Sequence, residues 1–341
     1  MDGNRRFGRK VNVDSGKGYY FGYSTLEKML AICMELGIKV VTVYAFSIEN
    51  FKRPPDQVEC LMELAKSKLT EMCEESELVK RYGIGIRVLG DTSLLPEDVQ
   101  AVVNKAVELT KHNNRAILNM CFPYTSREEL TMATKALVEG VEANELDPSD
   151  ITSSVLEQSL YTRSCPPMDL LIRTSGENRL SDFMLWQSSR TCHIEFIDCY
   201  WPEFSFWRML PVLLRYQLRA RSFAAARRAI EARDQQVLLE SIVRAGLATV
   251  REAEKASNDN DDSTHSYTTS ALSSSPQSNP TSLLQRRSPS KHSSSDDSTT
   301  SNPLMYDEQE MRAWRAEQKD RVASFLTQRG YIPNCPLVQL H

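Results

Sequence analysis

The sequence lacks the features that mark several large protein classes. Its eight cysteines include no Cys-x-x-Cys pair, and no window reaches the roughly 18 apolar residues that a membrane span requires. The net charge is −4 over 341 residues, with no long basic stripe, so a nucleic-acid binder is not expected. We expect reduced, buried thiols in a protein that faces the cytosol, and membrane contact that is peripheral or made through a partner.

Several common site motifs are also missing. The chain has neither Gly-x-x-x-x-Gly-Lys-Ser/Thr nor Gly-x-Gly-x-x-Gly, which disfavours a nucleotide or phosphosugar enzyme. It has no Gly-x-Ser-x-Gly motif, and its first histidine is His112, which disfavours a Ser-His-Asp hydrolase.

Short apolar runs alternate along the chain with longer amphipathic segments. The runs predicted as strands are residues 40–46, 84–89, 116–121, 169–172 and 193–197. The segments predicted as helices are residues 24–36, 54–75, 96–112, 127–143, about 203–254 and, more weakly, 306–329. This alternation predicts an α/β fold with a single, mostly parallel central sheet flanked by helices.

Three local expectations concern the first 46 residues. Residues 1–7 are expected to form a charged, loop-like cluster. Ser24 is expected to cap the first helix. The strand 40–46 is nearly all β-branched or aromatic, which predicts burial on both of its faces.

Composition divides the chain into three parts. Residues 1–255 are predicted to be one α/β domain that ends in a helical extension. Residues 256–304 are rich in Ser and Asp and poor in apolar side chains, which predicts a disordered linker. Residues 305–341 are predicted to contain a helical segment.

Polar side chains follow three of the predicted strands, at residues 47–53, 122–127 and 173–183, and a further polar cluster lies at residues 1–7. Arg173 and Arg179 follow the strand 169–172, and Gly176 between them lets the backbone approach an anion. Ligands bind at the carboxyl ends of parallel strands, so we expect an anion site there. In the cluster at 1–7, Asp2 suits a hard cation, although solvated terminal charges are the simpler interpretation of that segment alone.

These segments resemble the cis-prenyltransferase family, most closely the eukaryotic dehydrodolichyl diphosphate synthase catalytic subunits. The motifs are Met-Asp-Gly-Asn-Arg-Arg at 1–6, Tyr-Ala-Phe-Ser-Ile-Glu-Asn-Phe-Lys-Arg-Pro at 44–54 and Asp-Leu-Leu-Ile-Arg-Thr-Ser-Gly-Glu-Asn-Arg-Leu-Ser-Asp-Phe at 169–183. Tyr-Trp-Pro-Glu-Phe at 200–204 extends the resemblance, which covers about residues 1–220. Several long motifs in order are far more specific than one glycine-rich loop.

The resemblance implies an enzyme that condenses isopentenyl diphosphate with farnesyl diphosphate. The product would be a long-chain dehydrodolichyl diphosphate for dolichol synthesis and protein glycosylation. A non-catalytic accessory subunit of the same family is the alternative. The apolar faces of helices 24–36 and 54–75 suit either the walls of a product tunnel or an ordinary core.

The resemblance also implies roles for individual residues, with Mg²⁺ as the cofactor. Asp2 would be the catalytic carboxylate linked to the metal, and Asn50 would orient the group that removes a proton, since an amide is a poor base. The allylic diphosphate would contact Gly3, Asn4, Arg5, Arg6, Phe7 and Tyr19, the last in place of the usual histidine. Isopentenyl diphosphate would contact Arg173, Arg179 and Ser181. The loop around Asn50 would contribute Phe46, Ser47, Glu49, Phe51 and Arg53.

Two departures from the family pattern carry further expectations. The C-terminal Arg-x-Gly motif is missing from its usual place, which implies a Nogo-B-receptor-type accessory subunit that supplies it at the cytosolic face of the endoplasmic reticulum membrane. In the family an apolar strand precedes Met-Asp-Gly-Asn. The first strand is therefore expected to be absent here, and the natural protein to begin about 20–35 residues earlier.

Overall fold

The computed structural model describes residues 1–13, 15–74, 76–261 and 308–330. In that part of the chain the strands are β1 (Val40–Tyr44), β2 (Ile84–Leu89), β3 (Ala116–Cys121), β4 (Leu170–Arg173) and β5 (His193–Phe196). The helices are α1 (Asn4–Lys10), α2 (Ser15–Glu35), α3 (Pro55–Glu74), α4 (Glu77–Tyr82), α5 (Glu97–Thr110), α6 (Ser126–Glu142), α7 (Ser153–Ser159), α8 (Leu185–Ser188), α9 (Phe206–Asp261) and α10 (Glu308–Gln328).

The strands pair in parallel, and they hydrogen-bond in two groups. β3 lies between β1 and β2, and β4 pairs with β5. In the described residues no strand hydrogen-bonds to both groups, so the single ladder expected from the sequence is interrupted. Side chains join the groups instead, because Cys121 and Tyr124 pack with Leu171 and Met184 in one buried cluster. The architecture is the predicted α/β arrangement of parallel strands flanked by helices.

The N-terminal helices differ from the sequence prediction. Residues 4–10 are helical rather than loop-like, and α2 begins at Ser15, so Ser24 lies inside the helix and does not cap it. Glycine disfavours helices, so Gly18 weakened the helical pattern of the first turns of α2 and the predicted start lay too late. Gly18 is used for close packing, since a β-carbon there would lie 2.5 Å from the carbonyl oxygen of Asn4.

The burial of β1 also differs from the prediction. The strand is half-buried, with Val43 its one fully buried residue. The reason is its place at the edge of its group, whereas the central strand β3 is buried at five of its six positions.

The helix α9 is longer than the sequence predicts. α9 continues to Asp261, past the expected end near 254 and into the range predicted as a linker. The rest of that range, 262–304, lies outside the described residues. The described residues fall into two compact units, one of residues 1–240 and 319–330 and the other of residues 241–261 and 308–318.

Within the first unit, the end of α10 packs on α6 and α7. Phe325 and Leu326 are buried against Leu137, Leu146 and Val155. The helix is also tied by the guanidinium of Arg321, which donates to both carboxylate oxygens of the fully buried Asp150 at 3.0 and 3.2 Å.

The described residues give two further facts on the sequence predictions. Over the described residues no helix has a stretch long and apolar enough to span a bilayer. Cys33, Cys121 and Cys199 are buried free thiols, and burial raises the pKa of Cys33 to about 11.

Candidate active site

Five charged side chains of alternating sign form a chain of contacts at the end of β4. Arg173 Nη2 lies 2.9 Å from Asp2 Oδ2, and Asp2 Oδ1 lies 3.8 Å from Arg6 Nη2. Arg6 Nη2 also lies 2.9 Å from Glu177 Oε1, and the other oxygen of that carboxylate lies 2.5 Å from Arg179 Nη1. The structure thus brings together Asp2, Arg6, Arg173 and Arg179, which the sequence had placed in two distant segments.

The backbone of Asp2 is fixed at the exit of β4 by hydrogen bonds. Its N–H donates to Thr174 Oγ1 at 3.4 Å, and its carbonyl oxygen accepts from the N–H of Trp201 at 2.9 Å. The next residue, Gly3, has φ +88°, and a β-carbon there would lie 2.3 Å from Ser175 Oγ and 2.7 Å from the Tyr200 ring. Only glycine fits this position without a shift of its neighbours.

The loop after β4 is strained. Among the described residues, Ser175, Ser181, Asp182 and Met184 have positive φ between 50° and 81°. Such conformations cost about 1 kcal/mol or more each for residues with side chains, and they persist where the surroundings hold them. Here the Phe183 ring stacks on Tyr44 at 4.8 Å, and the Ser126 N–H donates to the carbonyl oxygen of Asp182 at 2.8 Å.

The loop after β1 folds on itself around Asn50. The Ser47 N–H donates to Asn50 Oδ1 at 3.1 Å, and the Glu49 N–H donates to Ser47 Oγ at 3.2 Å. The Asn50 oxygen is therefore engaged in the loop, and the NH₂ group is the hydrogen-bond donor that the side chain offers.

Arg127 connects this loop to the strained loop. Its guanidinium lies 3.7 Å from Glu49 Oε1 and donates through Nε to Asp182 Oδ2 at 2.7 Å. Ser47 also forms a parallel bridge with Tyr124, so the exits of β1 and β3 stay side by side. The polar residues after three strands are thereby linked.

Tyr19 and Arg53 form a further contact beside this site. Arg53 Nη1 donates to the Tyr19 hydroxyl at 3.4 Å. Burial raises the pKa of Tyr19, and the nearby guanidinium groups of Arg53 and Arg5 partly oppose this shift. Tyr19 is therefore a neutral phenol at physiological pH, able to donate one hydrogen bond to an anion.

The remaining predicted residues lie outside the chain of charges. Phe46 is buried, with its ring centroid 4.9 Å from Phe51 and 5.7 Å from Phe122. Phe7 packs edge-on against Phe21. Ser181 is exposed, and its carbonyl oxygen accepts a long hydrogen bond of 3.5 Å from the Tyr44 hydroxyl.

An apolar cavity of about 110 Å³ lies between α2 and α3. Asn4 and Tyr19 are part of its wall, which connects it to the polar site. Most of the wall is apolar and includes Leu26, Phe46, Leu61, Leu69 and Met72. The predicted helices 24–36 and 54–75 therefore enclose a cavity as well as contributing to the core.

Three contacting residues had been given no role by the sequence. They are Arg127, Glu177 and Asp182. Glu177 and Asp182 lie in the motif at 169–183, and Arg127 follows the exit of β3, so position after a strand was the signal that could have found them.

The donor set fits a Mg²⁺ ion that is held by one carboxylate. Mg²⁺ in phosphate-binding enzymes typically takes one or two carboxylates and completes its shell with phosphate oxygens and water. The Asp2 side chain is partly exposed, and over the described residues no group of three or more His, Cys, Asp or Glu side chains is arranged for a metal. These residues therefore allow Mg²⁺ to be bound by Asp2 together with substrate oxygens.

Known proteins match the same segments. The family model described as "Putative undecaprenyl diphosphate synthase" matches residues 1–224. Dehydrodolichyl diphosphate synthase complex subunits of Schizosaccharomyces pombe and Homo sapiens are 48% and 45% identical over 219 and 262 residues. These matches cover 64% and 74% of this chain, and 83% and 78% of the two relatives. The crystal structure of lavandulyl diphosphate synthase from Lavandula x intermedia in complex with dimethylallyl diphosphate is similar with a TM-score of 0.59 at 31% identity, over 63% of this chain and 92% of that one.

Proposed function

The chain belongs to the cis-prenyltransferase family, and from this membership we propose that it condenses isopentenyl diphosphate with farnesyl diphosphate. The product would be a long-chain dehydrodolichyl diphosphate for dolichol synthesis and protein glycosylation. The observation that carries the proposal is the convergence of Arg6, Arg173 and Arg179 around Asp2 and Glu177. Two diphosphates repel each other, and binding them side by side requires several fixed cations.

The bond changes of the reaction define what these residues must do. A carbon–carbon bond forms between C4 of isopentenyl diphosphate and C1 of the allylic substrate, while the C1–oxygen bond breaks and pyrophosphate leaves with the electron pair. A proton then leaves C2 of the isopentenyl unit. Negative charge grows on the departing diphosphate, and guanidinium groups held in place stabilise it.

We assign the two diphosphates to different arginines. Arg6 would bind the allylic diphosphate, and Arg173 with Arg179 would bind isopentenyl diphosphate. Supporting contacts to the allylic diphosphate would come from Gly3, Asn4, Arg5, Phe7 and Tyr19, and to isopentenyl diphosphate from Ser181. This assignment is supported by the position of Arg173 and Arg179 after β4, while Arg6 reaches them from α1.

Asp2 is the residue that would hold Mg²⁺. The bound ion would supply positive charge to the leaving diphosphate. The Arg173 guanidinium orients the Asp2 carboxylate at 2.9 Å, and the Gly3 N–H donates to its other oxygen at 2.7 Å. Both contacts fix the side chain before substrates bind.

Asn50 would orient the proton-removing group. Its oxygen is engaged by Ser47, so its NH₂ group is the part that would donate to a substrate or a water molecule. Phe46 and Phe51 stiffen this loop through their edge-on contact, while Ser47, Glu49 and Arg53 tie it to its neighbours. The growing apolar chain would enter the cavity between α2 and α3.

A partner subunit is part of the proposal. Trp207, Leu214 and Leu218 on α9 are 75%, 52% and 85% exposed. Their spacings of seven and four residues place them on one face of the helix. An exposed apolar stripe of this kind suits a subunit interface. The curated relatives are named as complex subunits, and we propose a Nogo-B-receptor-type accessory subunit at the cytosolic face of the endoplasmic reticulum membrane, with peripheral membrane contact through that partner.

The experiment is incorporation of radiolabelled isopentenyl diphosphate with farnesyl diphosphate and Mg²⁺, with and without the accessory subunit. Asp2→Asn removes the charge and keeps the shape, and we expect it to lower incorporation by about 100-fold or more. Asp320→Asn, at an exposed position of α10, is the matched control. Turnover by Asp2→Asn close to that of the control would contradict the mechanism. No incorporation by the unmodified chain in either condition would instead favour the non-catalytic alternative.

A further inference from the structure

Glu177 bridges two arginines that the proposed function assigns to different substrates. One carboxylate oxygen contacts Arg6 at 2.9 Å, and the other contacts Arg179 at 2.5 Å. We propose that Glu177 is a positioning residue, which sets the orientation of the allylic arginine and of the isopentenyl arginine together. This inference rests on the proposed function, and it adds a role for Glu177 that the resemblance did not imply.

The backbone before Glu177 is firmly anchored. The Ser175 N–H donates to the carbonyl oxygen of Cys199 at 2.7 Å, and the Gly176 N–H donates to that of Ile197 at 3.1 Å. Gly176 has φ +66°, and a β-carbon there would lie 2.9 Å from Asp198 Oδ1. The turn into Glu177 therefore depends on glycine and is held by the segment that follows β5.

The exposed fractions of the three side chains also support a positioning role for Glu177. The Glu177 side chain is 18% exposed, whereas those of Arg6 and Arg179 are 40% and 68% exposed. In this bridge the Glu177 carboxylate is therefore the more buried group, and the two arginine side chains are long and exposed to solvent. Long exposed side chains lose considerable rotamer entropy when a ligand fixes them. The Glu177 carboxylate already orders both arginine side chains in the free protein. Less rotamer entropy is therefore lost when the diphosphates bind.

The contacts leave the arginines able to bind phosphate. A guanidinium carries five N–H donors, and Glu177 approaches one terminal nitrogen of each arginine. The remaining donors stay available for a diphosphate, so Glu177 keeps its place in the loaded site. The negative charge of Glu177 also offsets the repulsion between two guanidinium groups that face the same loop.

One carboxylate that serves two arginines has a distinctive kinetic signature. Glu177→Gln is expected to raise the KM of farnesyl diphosphate and the KM of isopentenyl diphosphate, each by about threefold to tenfold, since the contacts are charge-assisted but partly exposed. Arg6→Ala is expected to act mainly on the first KM and Arg179→Ala mainly on the second. The effect on kcat should be smaller than on either KM.

The test combines these variants in the full-length chain with its accessory subunit. In the Arg179→Ala background, Glu177→Gln should still raise the KM of farnesyl diphosphate but no longer that of isopentenyl diphosphate. The reverse should hold in the Arg6→Ala background. Glu142→Gln, an exposed carboxylate near the end of α6, is the control and should change neither value.

Several outcomes would overturn the inference. A change of one KM alone in Glu177→Gln would mean that the bridge does not serve both sites. A higher half-saturating Mg²⁺ concentration with unchanged KM values would make Glu177 a metal ligand instead. If Glu177→Gln melts early, Glu177→Asp keeps the charge but shortens the reach, and it must raise both KM values for the inference to stand. An inactive unmodified protein would refute the proposed function, a result distinct from all of these.

Discussion

The side-chain oxygen of Asn4 occupies the space beside Gly22 that a β-carbon would fill. A β-carbon at Gly22 would lie 2.3 Å from Asn4 Oδ1 and 3.2 Å from the Trp201 ring. The carbonyl oxygen of Gly22 also accepts a hydrogen bond from Trp201 Nε1 at 2.7 Å. The position of a candidate substrate-binding residue in α1 is therefore set by a glycine in α2.

Gly22→Ala is expected to displace Asn4 and to lower prenyl transfer while the protein stays folded. Alanine favours a helix over glycine by about 1 kcal/mol, which offsets part of the collision. Incorporation of isopentenyl diphosphate and a thermal melt measured on the same sample separate the two effects. Lys28→Ala, exposed on the same helix, is the control. Full activity in Gly22→Ala would show that Asn4 does not need this position.

Variants of Asn50 can separate its proposed role in orienting the proton-removing group from its role in holding the loop. Asn50→Asp keeps the oxygen that accepts from Ser47 but removes the NH₂ donor, so we expect a near-normal melting temperature and a much lower kcat. Asn50→Ala removes both and should also destabilise the loop, by about 1 kcal/mol. If Asn50→Asp were as active as the parent, the amide donor would have no part in the reaction.

Phe325 offers a test of the docked end of α10. Its side chain is fully buried and lies where a β-carbon on Gly140 would approach it to 2.5 Å. Phe325→Ala should lower the free energy of unfolding by about 3–5 kcal/mol through the cavity it leaves. Urea unfolding measures this change, with the exposed Thr327→Ala on the same helix as the control. Equal midpoints for both variants would mean that α10 is not docked in solution.

Glu129 gives a prediction of pH dependence. The carboxyl is buried and accepts hydrogen bonds from the Tyr124 hydroxyl at 2.6 Å, the Gln187 amide at 3.1 Å and the Tyr161 N–H at 2.9 Å. Burial raises its pKa above the usual 4.5, despite these donors, which act in the opposite direction. The folded state therefore binds the Glu129 proton more tightly than the unfolded state does.

The sign of the pH effect follows from that difference. The contribution of Glu129 to stability is fully present below its unfolded pKa and is lost as the pH rises through the raised, folded pKa. The unfolding free energy of the parent minus that of Glu129→Gln should therefore fall as the pH rises above the unfolded pKa near 4.5, and level off above the raised, folded pKa. Urea titrations of both proteins at several pH values measure it. A difference that rises with pH would contradict the direction of the shift.

The stripe on α9 can be tested by charge. Leu218→Glu changes a side chain that is 85% exposed, so the fold of the chain alone should be unaffected. In an interface, a buried unpaired carboxylate weakens binding strongly, and we expect co-elution with the accessory subunit to be lost. Arg219→Glu, exposed on the same helix but about 100° around it from Leu218, is the charge control. Co-elution by Leu218→Glu would exclude this face, and loss of a self-associated species would identify a second copy as the occupant.

Strands were the part of the fold that the sequence defined best. The predicted runs 84–89 and 116–121 coincide with β2 and β3, because both are apolar runs with clear limits. The helix α1 was missed, since seven residues with a glycine and several charges have little helical tendency of their own. Its packing on α2 is a tertiary effect that no local pattern contains.

The candidate site, like the fold, was predicted from the sequence only in part. The motif order indicated that Asp2, Arg6, Arg173 and Arg179 belong together, and they do lie in contact through carboxylates. The role of Glu177 was missed because a sequence gives its neighbours in the loop but not its distance from Arg6. The strain at Ser181 and Met184 was likewise hidden, since residues with side chains rarely adopt positive φ and no composition signals it.

The contact between Arg321 and Asp150 joins residues that are 171 positions apart. A ribosome adds about 5–20 residues per second, so α6 and α7 emerge many seconds before the helix that covers them. Leu137 and Val155 are left facing water during that interval. The nascent chain therefore passes through a stage with an exposed apolar groove. Chaperones that bind apolar surfaces can bind this groove until residue 326 is released.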